Sequence, residues 1–133
     1  MGAPFFFPGS RMKTVLAAAA LASGLLLAPF AQAMPVSEFL EEAEDIPMNP
    51  TALLRSDARR LMGELQGAFR TVRDEYRADR DAGRPTDFCP AEGTRMSMSA
   101  EDLLARFRSI PPSRRHISVT QAIREWMAER YPC

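Results

Sequence analysis

Few side chains in this sequence are of a kind that does chemistry, and their neighbours narrow what they can do. Cys89 and Cys133 are the only cysteines. They could form a redox pair, but no Cys-x-x-Cys spacing supports one, so a structural disulfide is expected. His116 is the only histidine, and Ser113, Arg114 and Arg115 beside it offer neither a base partner nor a second metal ligand. Met96-Ser97-Met98 presents two thioethers to a soft metal such as Cu(I). Met98, however, stands just before a helix cap, where an apolar residue has a packing role. The adjacent carboxylates Glu41/Glu42 and Glu101/Asp102 fall at helix starts or on solvated faces, and there is no Gly-rich phosphate loop. No catalytic, cofactor or metal site is expected, and the chain does not read as an enzyme.

The compartment follows from the first third. Met12-Lys13 supplies a start and a positive charge, Val15 to Phe30 is largely apolar, and Ala31-Gln32-Ala33 is a small-x-small cleavage signal. Met12–Ala33 therefore reads as a secretory leader, with residues 1–33 removed and Met34 as the mature amino terminus. A stable membrane anchor is not expected. The run falls short of the ~20 apolar residues a span needs, and Gly24 and Pro29 interrupt it. No cysteine near the cleavage point could take a lipid. Met1–Arg11 fits no n-region, which makes Met12 the expected start. An exported chain with two cysteines favours a Cys89–Cys133 bond. Pairing of Cys133 between copies would instead give a homodimer.

Residues 34–133 suffice for one small domain, of the size that is only marginally stable without a staple. They hold 15 Arg, no Lys and 17 acidic residues, a formal charge of −2. That balance excludes a nucleic-acid partner and offers no polybasic patch to an anionic membrane.

The elements that must position these groups are helical. Ser37 is expected to cap a short helix carrying Phe39, Leu40 and Ala43, ended by Pro47. Asn49-Pro50 then reads as the start of one continuous helix over 49–82, with Met48 and Leu53 as a hydrophobic staple. Leu54, Ala58, Leu61, Leu65, Ala68, Val72 and Tyr76 recur in steps of three and four. Met62 and Phe69 broaden this stripe. Arg60/Glu64, Arg70/Asp74 and Arg77/Asp81 stand four apart on the outer face. Gly83 and Pro85 stop the helix. Ser99 with Asp102 marks a capping box, with Met98 and Leu103 as its staple and Leu103, Leu104 and Phe107 inside. Ile110-Pro111-Pro112 ends that helix, because successive prolines cannot continue it. Ser118 with Gln121 repeats the capping box and opens the last helix, whose inner face carries Val119, Ala122, Ile123, Trp126 and Tyr131, widened by Met127. The fold class expected is all-α: a small disulfide-stapled domain of one long helix plus a C-terminal helical hairpin.

The run Phe88-Cys89-Pro90-x-x-Gly93, then a capped helix, Ile110-Pro111, a second capped helix and a terminal Tyr131-Pro132-Cys133 carries a likeness. Over roughly residues 88–133, with Leu103, Leu104, Ala122 and Ile123 also matching, the chain resembles the Rap/Tai family of immunity proteins. The resemblance implies a small periplasmic binding protein that inhibits peptidoglycan amidases delivered by type VI secretion. It carries over no toxin-contact residue. Acid-stress holdases of the periplasm share the same size, export, helicity and single disulfide, and are the alternative expectation.

For a partner surface, the sequence favours the turn Pro111–His116. Two prolines stiffen it, and Arg114, Arg115 and His116 are the candidate partner-binding residues, since Arg is favoured at hot spots and pairs bidentately with carboxylates. The outer side of the long helix is the next choice.

Overall fold

The computed structural model describes Gly2 and residues 33–133. The expected leader, Ala33 apart, lies outside the described residues. Four α-helices follow in order: α1 (Val36–Glu44), α2 (Ser56–Asp81), α3 (Ala100–Ser109) and α4 (Val119–Arg130). Short 3-10 turns cover Pro50–Leu54 and Pro112–Arg114. No strand occurs among the described residues, only an isolated antiparallel bridge between Pro35 and Ser118. The domain is all-α.

α1 begins one residue before the expected cap, and no side chain caps it. Its first free N–H groups are satisfied from elsewhere in the chain. Val36 donates to the Ile117 carbonyl and Ser37 to that of Arg115, both at 2.9 Å. Val119 N–H donates in turn to the Met34 carbonyl at 2.8 Å. The segment before α1 is thus stitched to the segment before α4, where a backbone partner replaces the side-chain cap.

The long helix is not continuous. Asn49 caps only a 3-10 turn, accepting from Thr51 N–H. Arg55 then adopts extended geometry (φ −84°, ψ 139°), and α2 starts at Ser56. Two local contacts account for the restart. The Arg55 guanidinium grips the Asp57 carboxylate in a bidentate pair, and Asp57 Oδ1 also accepts from Ala58 N–H at 2.8 Å. Asp57 so brings negative charge to the positive end of α2. The Arg55 hydrogen bond holds its carboxyl below the usual range. The break removes the expected staple: Met48 is 60% exposed and Leu53 66%. Leu54, expected on the inner stripe, is 81% exposed. From Ala58 onward the stripe runs as the spacing implies, through buried Leu61, Ala68 and Val72.

None of the three expected i,i+4 ion pairs forms. Arg60 reaches across to Glu42 of α1, and Asp74 pairs with its neighbour Arg73. The exposed end of α2 closes on Gly83 at φ +69°, with Arg84 N–H to the Asp79 carbonyl and Gly83 N–H to that of Arg80. This is the double bond pattern of a glycine-terminated helix.

α3 has its full capping box: Ser99 accepts from Asp102 N–H and Asp102 accepts from Ser99 N–H. Ser118 caps α4 by accepting from Gln121 N–H, but the Gln121 side chain turns to Glu125 and Arg124 and does not complete the expected box. The core joins all four helices. Phe107, Ile123, Met127, Val36 and Val119 are its most deeply buried side chains. Phe107 meets Phe39 edge to face at 5.3 Å, a geometry worth about 0.5–1.5 kcal/mol beyond area burial. Trp126 is half-buried against this cluster. α4 packs chiefly along α2, while α1 contacts α2, α3 and α4. Arg124 fixes the α2–α4 pairing with a bidentate bridge to Glu75 at 2.8 and 3.0 Å.

Cys89 and Cys133 are bonded, with Cα atoms 4.8 Å apart. Cys89 N–H also donates to the Tyr131 carbonyl at 2.7 Å, so a backbone bond backs the disulfide. Phe88, buried beside it, stacks on Tyr76 of α2 at 4.9 Å. The bond therefore ties the end of α4 to the chain that leaves α2.

Candidate binding groove

The break at Arg55 leaves an apolar cleft. α1 supplies Phe39 and Ala43 on one side, and α2 supplies Leu61, Leu65 and Phe69 along the floor. The 46–53 segment and residues 94–98 ahead of α3 form its rims. Its volume is about 1220 Å³, above the ~300–1,000 Å³ of small-molecule sites. The cleft is on the scale of a peptide segment.

Methionine dominates its chemistry. Met48, Met62, Met96, Met98 and Met127 all line it, five of the eight in the sequence. Met48, Met62 and Met96 are 60%, 47% and 44% exposed, and Leu53 joins them on the rim. Unbranched thioether side chains adapt to irregular apolar shapes, which suits a surface that must mould to a partner. A contiguous exposed apolar strip of this kind marks an interaction site more often than an accident of composition.

The charges around the cleft have one sign. Arg70 and Arg73 are the only charged residues lining it, and no carboxylate does. Arg73 makes an exposed pair with Asp74 at 3.2 Å, whereas Arg70 has no ion-pair partner among the described residues. Gln66, Asn49, Thr94, Ser97 and Ser99 add neutral polar groups at the edges.

The turn singled out from sequence lies elsewhere: Arg114, Arg115 and His116 do not line the cleft. Arg115 is committed to the fold, with Nε donating to the Ile110 carbonyl and Nη2 to that of Arg108, both at 2.9 Å. Arg114 bridges to Glu125 of α4 at 2.9 Å. Burial works to raise the Glu125 pKa, but hydrogen bonds from Arg114 and Gln121 outweigh it and hold the carboxyl below its ordinary value. His116 Nδ1 lies 3.1 Å from the Ser113 carbonyl, in an exposed position.

Sequence reasoning missed the cleft because it ran one helix through Leu53 and Met62 and stapled Met48 against Leu53. The available signal was Asp57, an acidic residue set as if to open a helix, three positions after Leu54. Among the described residues no three His, Cys, Asp or Glu side chains gather to hold a metal. No described helix is long and apolar enough to cross a membrane. No protein-family model matches the chain, and no curated protein or solved structure is significantly similar to it.

Proposed function

We propose that this chain is an exported protein-binding protein that holds an amphipathic helical segment of another protein, apolar on one face and acidic along its edge. The observation that carries this reading is the methionine-lined cleft, apolar in its walls and cationic only at Arg70 and Arg73. A helix laid in such a groove buries its apolar face against the floor, the recognised helix-in-groove mode. Its flanking carboxylates then meet the two guanidinium groups, which discriminate between partners more than they add affinity.

Export to the periplasm is part of the proposal, supported by the leader-like Met12–Ala33 and by a disulfide of the kind that persists in oxidising compartments. The Rap/Tai resemblance supplies the partner class, a peptidoglycan amidase effector, which the chain would neutralise by gripping such a segment. A second reading, a stress holdase, draws on the exposed methionines Met48, Met62 and Met96, because Met-rich surfaces accept varied apolar sequences.

The test uses two fluorescent amphipathic helices with identical apolar faces and either Glu or Lys along the edge. The acidic-edged helix is expected to bind several-fold more tightly, and Arg70→Glu with Arg73→Glu to reverse the order. Equal binding of both by the parent protein would remove the charge argument. Suppression of client aggregation irrespective of edge charge would install the holdase reading.

A further inference from the structure

Five carboxylates in residues 33–133 are half-buried: Glu42, Asp57, Glu64, Asp79 and Glu125. Four of them face a guanidinium, from Arg60, Arg55, Arg84 and Arg114 respectively. Glu64 has no cation among the described residues. Its Oε1 instead accepts from the backbone N–H of Met34 at 3.1 Å. Met34 is itself anchored, with its side chain 8% exposed and its carbonyl bonded to Val119 N–H, whereas Ala33 before it is exposed. In a chain with 15 arginines in this region, a half-buried carboxylate aimed at one backbone nitrogen is the exception.

We propose that Glu64 is the binding site for the α-ammonium group created at Met34 when the leader is removed. This rests on the export reading above and is independent of what the cleft binds. Hydrolysis of the Ala33–Met34 bond adds one water. Ala33 leaves as a carboxylate, and the Met34 amine takes up a proton, since an α-amino group has a pKa of ~7.7–8.0. The single amide donor facing Glu64 then becomes a cation with three donors. The carboxylate already makes the bond charge-assisted on the acceptor side, and the ammonium adds an ionised donor and so a full ion pair. Processing thus supplies the counter-ion that Glu64 lacks among the described residues, and it locks the segment holding α1 onto both α2 and the start of α4.

The sequence makes this directly measurable, because Lys13 is its only lysine and residues 34–133 contain none. In the processed protein the α-amine is the one primary amine, and an acetylating reagent reports on it alone. The full chain is expressed with its own leader, and the exported product is purified and its amino terminus read by mass spectrometry. Glu64→Gln keeps an acceptor but removes the charge, and is expected to let the amine acetylate several-fold faster. Acetylation is expected to lower the Tm of the parent by about 4–8 °C, a shift within reach of a domain this size, and to leave that of Glu64→Gln nearly unchanged. A terminus other than Met34 would overturn the processing step itself. A Met34 terminus with equal acetylation rates, or with equal Tm losses in both proteins, would overturn the role of Glu64 while leaving export intact.

Discussion

The Arg115 guanidinium lies across the end of α3, its Nε donating to the carbonyl of Ile110 at 2.9 Å. Pro111 and Pro112 follow that carbonyl and have no N–H to give, so the last carbonyls of α3 need a side-chain donor. Arg115 serves both Ile110 and Arg108. Arg115→Ala is therefore expected to cost about 1–3 kcal/mol, the range for losing hydrogen bonds to a charged group. Urea unfolding of Arg115→Ala beside His116→Ala, expected to be nearly neutral, checks this. Equal stability of the two variants would refute the assignment.

The disulfide should be the largest single contributor after the core. It closes a loop with a sequence separation of 44, for which the chain-entropy relation gives about 4 kcal/mol. Replacing Cys89 and Cys133 together by Ser avoids a stray thiol. Equilibrium unfolding should show a loss of that order, and a loss below about 1 kcal/mol would mean that the Cys89–Tyr131 backbone bond and the Phe88–Tyr76 stack hold the terminus unaided.

Leu54 distinguishes a broken helix from a continuous one. Exposed as it is, Leu54→Ser should change stability by no more than about 0.5 kcal/mol, as surface substitutions do. Leu61→Ala, on the buried stripe, should cost about 2–5 kcal/mol. Comparable losses at both positions, measured by thermal or urea unfolding, would restore the continuous helix.

Acid should act through Glu125. Its folded pKa is depressed below the unfolded value of ~4.3. The stabilisation it gives is therefore present above that value and disappears as pH falls through the folded pKa. Melting temperatures of the parent and Glu125→Gln should differ at neutral pH and converge in strong acid. A gap that stays constant down the acid limb would contradict the Arg114–Glu125–Gln121 arrangement.

Much of this fold was legible because its signals are local. Ser99 with Asp102, Ser118 ahead of Gln121, and Gly83 after α2 each act within a turn of the helix they bound. The disulfide was legible from composition and context. The restart at Arg55 was not, since Asn49-Pro50 is a sound helix opening and only the Arg55–Asp57 grip makes a second one. The ion pairs were misread for a related reason. Arg60 can meet Glu64 along one helix, but α1 brings Glu42 within its reach, and tertiary proximity is invisible to spacing. The same holds for Arg115, whose exposure looked assured until the proline-ended carbonyls claimed it. The cleft was hidden because it is the consequence of the helix break.

The most direct test of the binding account uses the methionines themselves. Residues 34–133 contain six, of which Met34 alone does not line the cleft. With 13C-methyl-labelled methionine, NMR titration with the acidic-edged amphipathic helix should shift the methyl signals of Met48, Met62, Met96 and Met98 and leave that of Met34 in place. Binding that moves Met34 as strongly as the other four, or that moves none of them, would contradict the cleft as the site of capture.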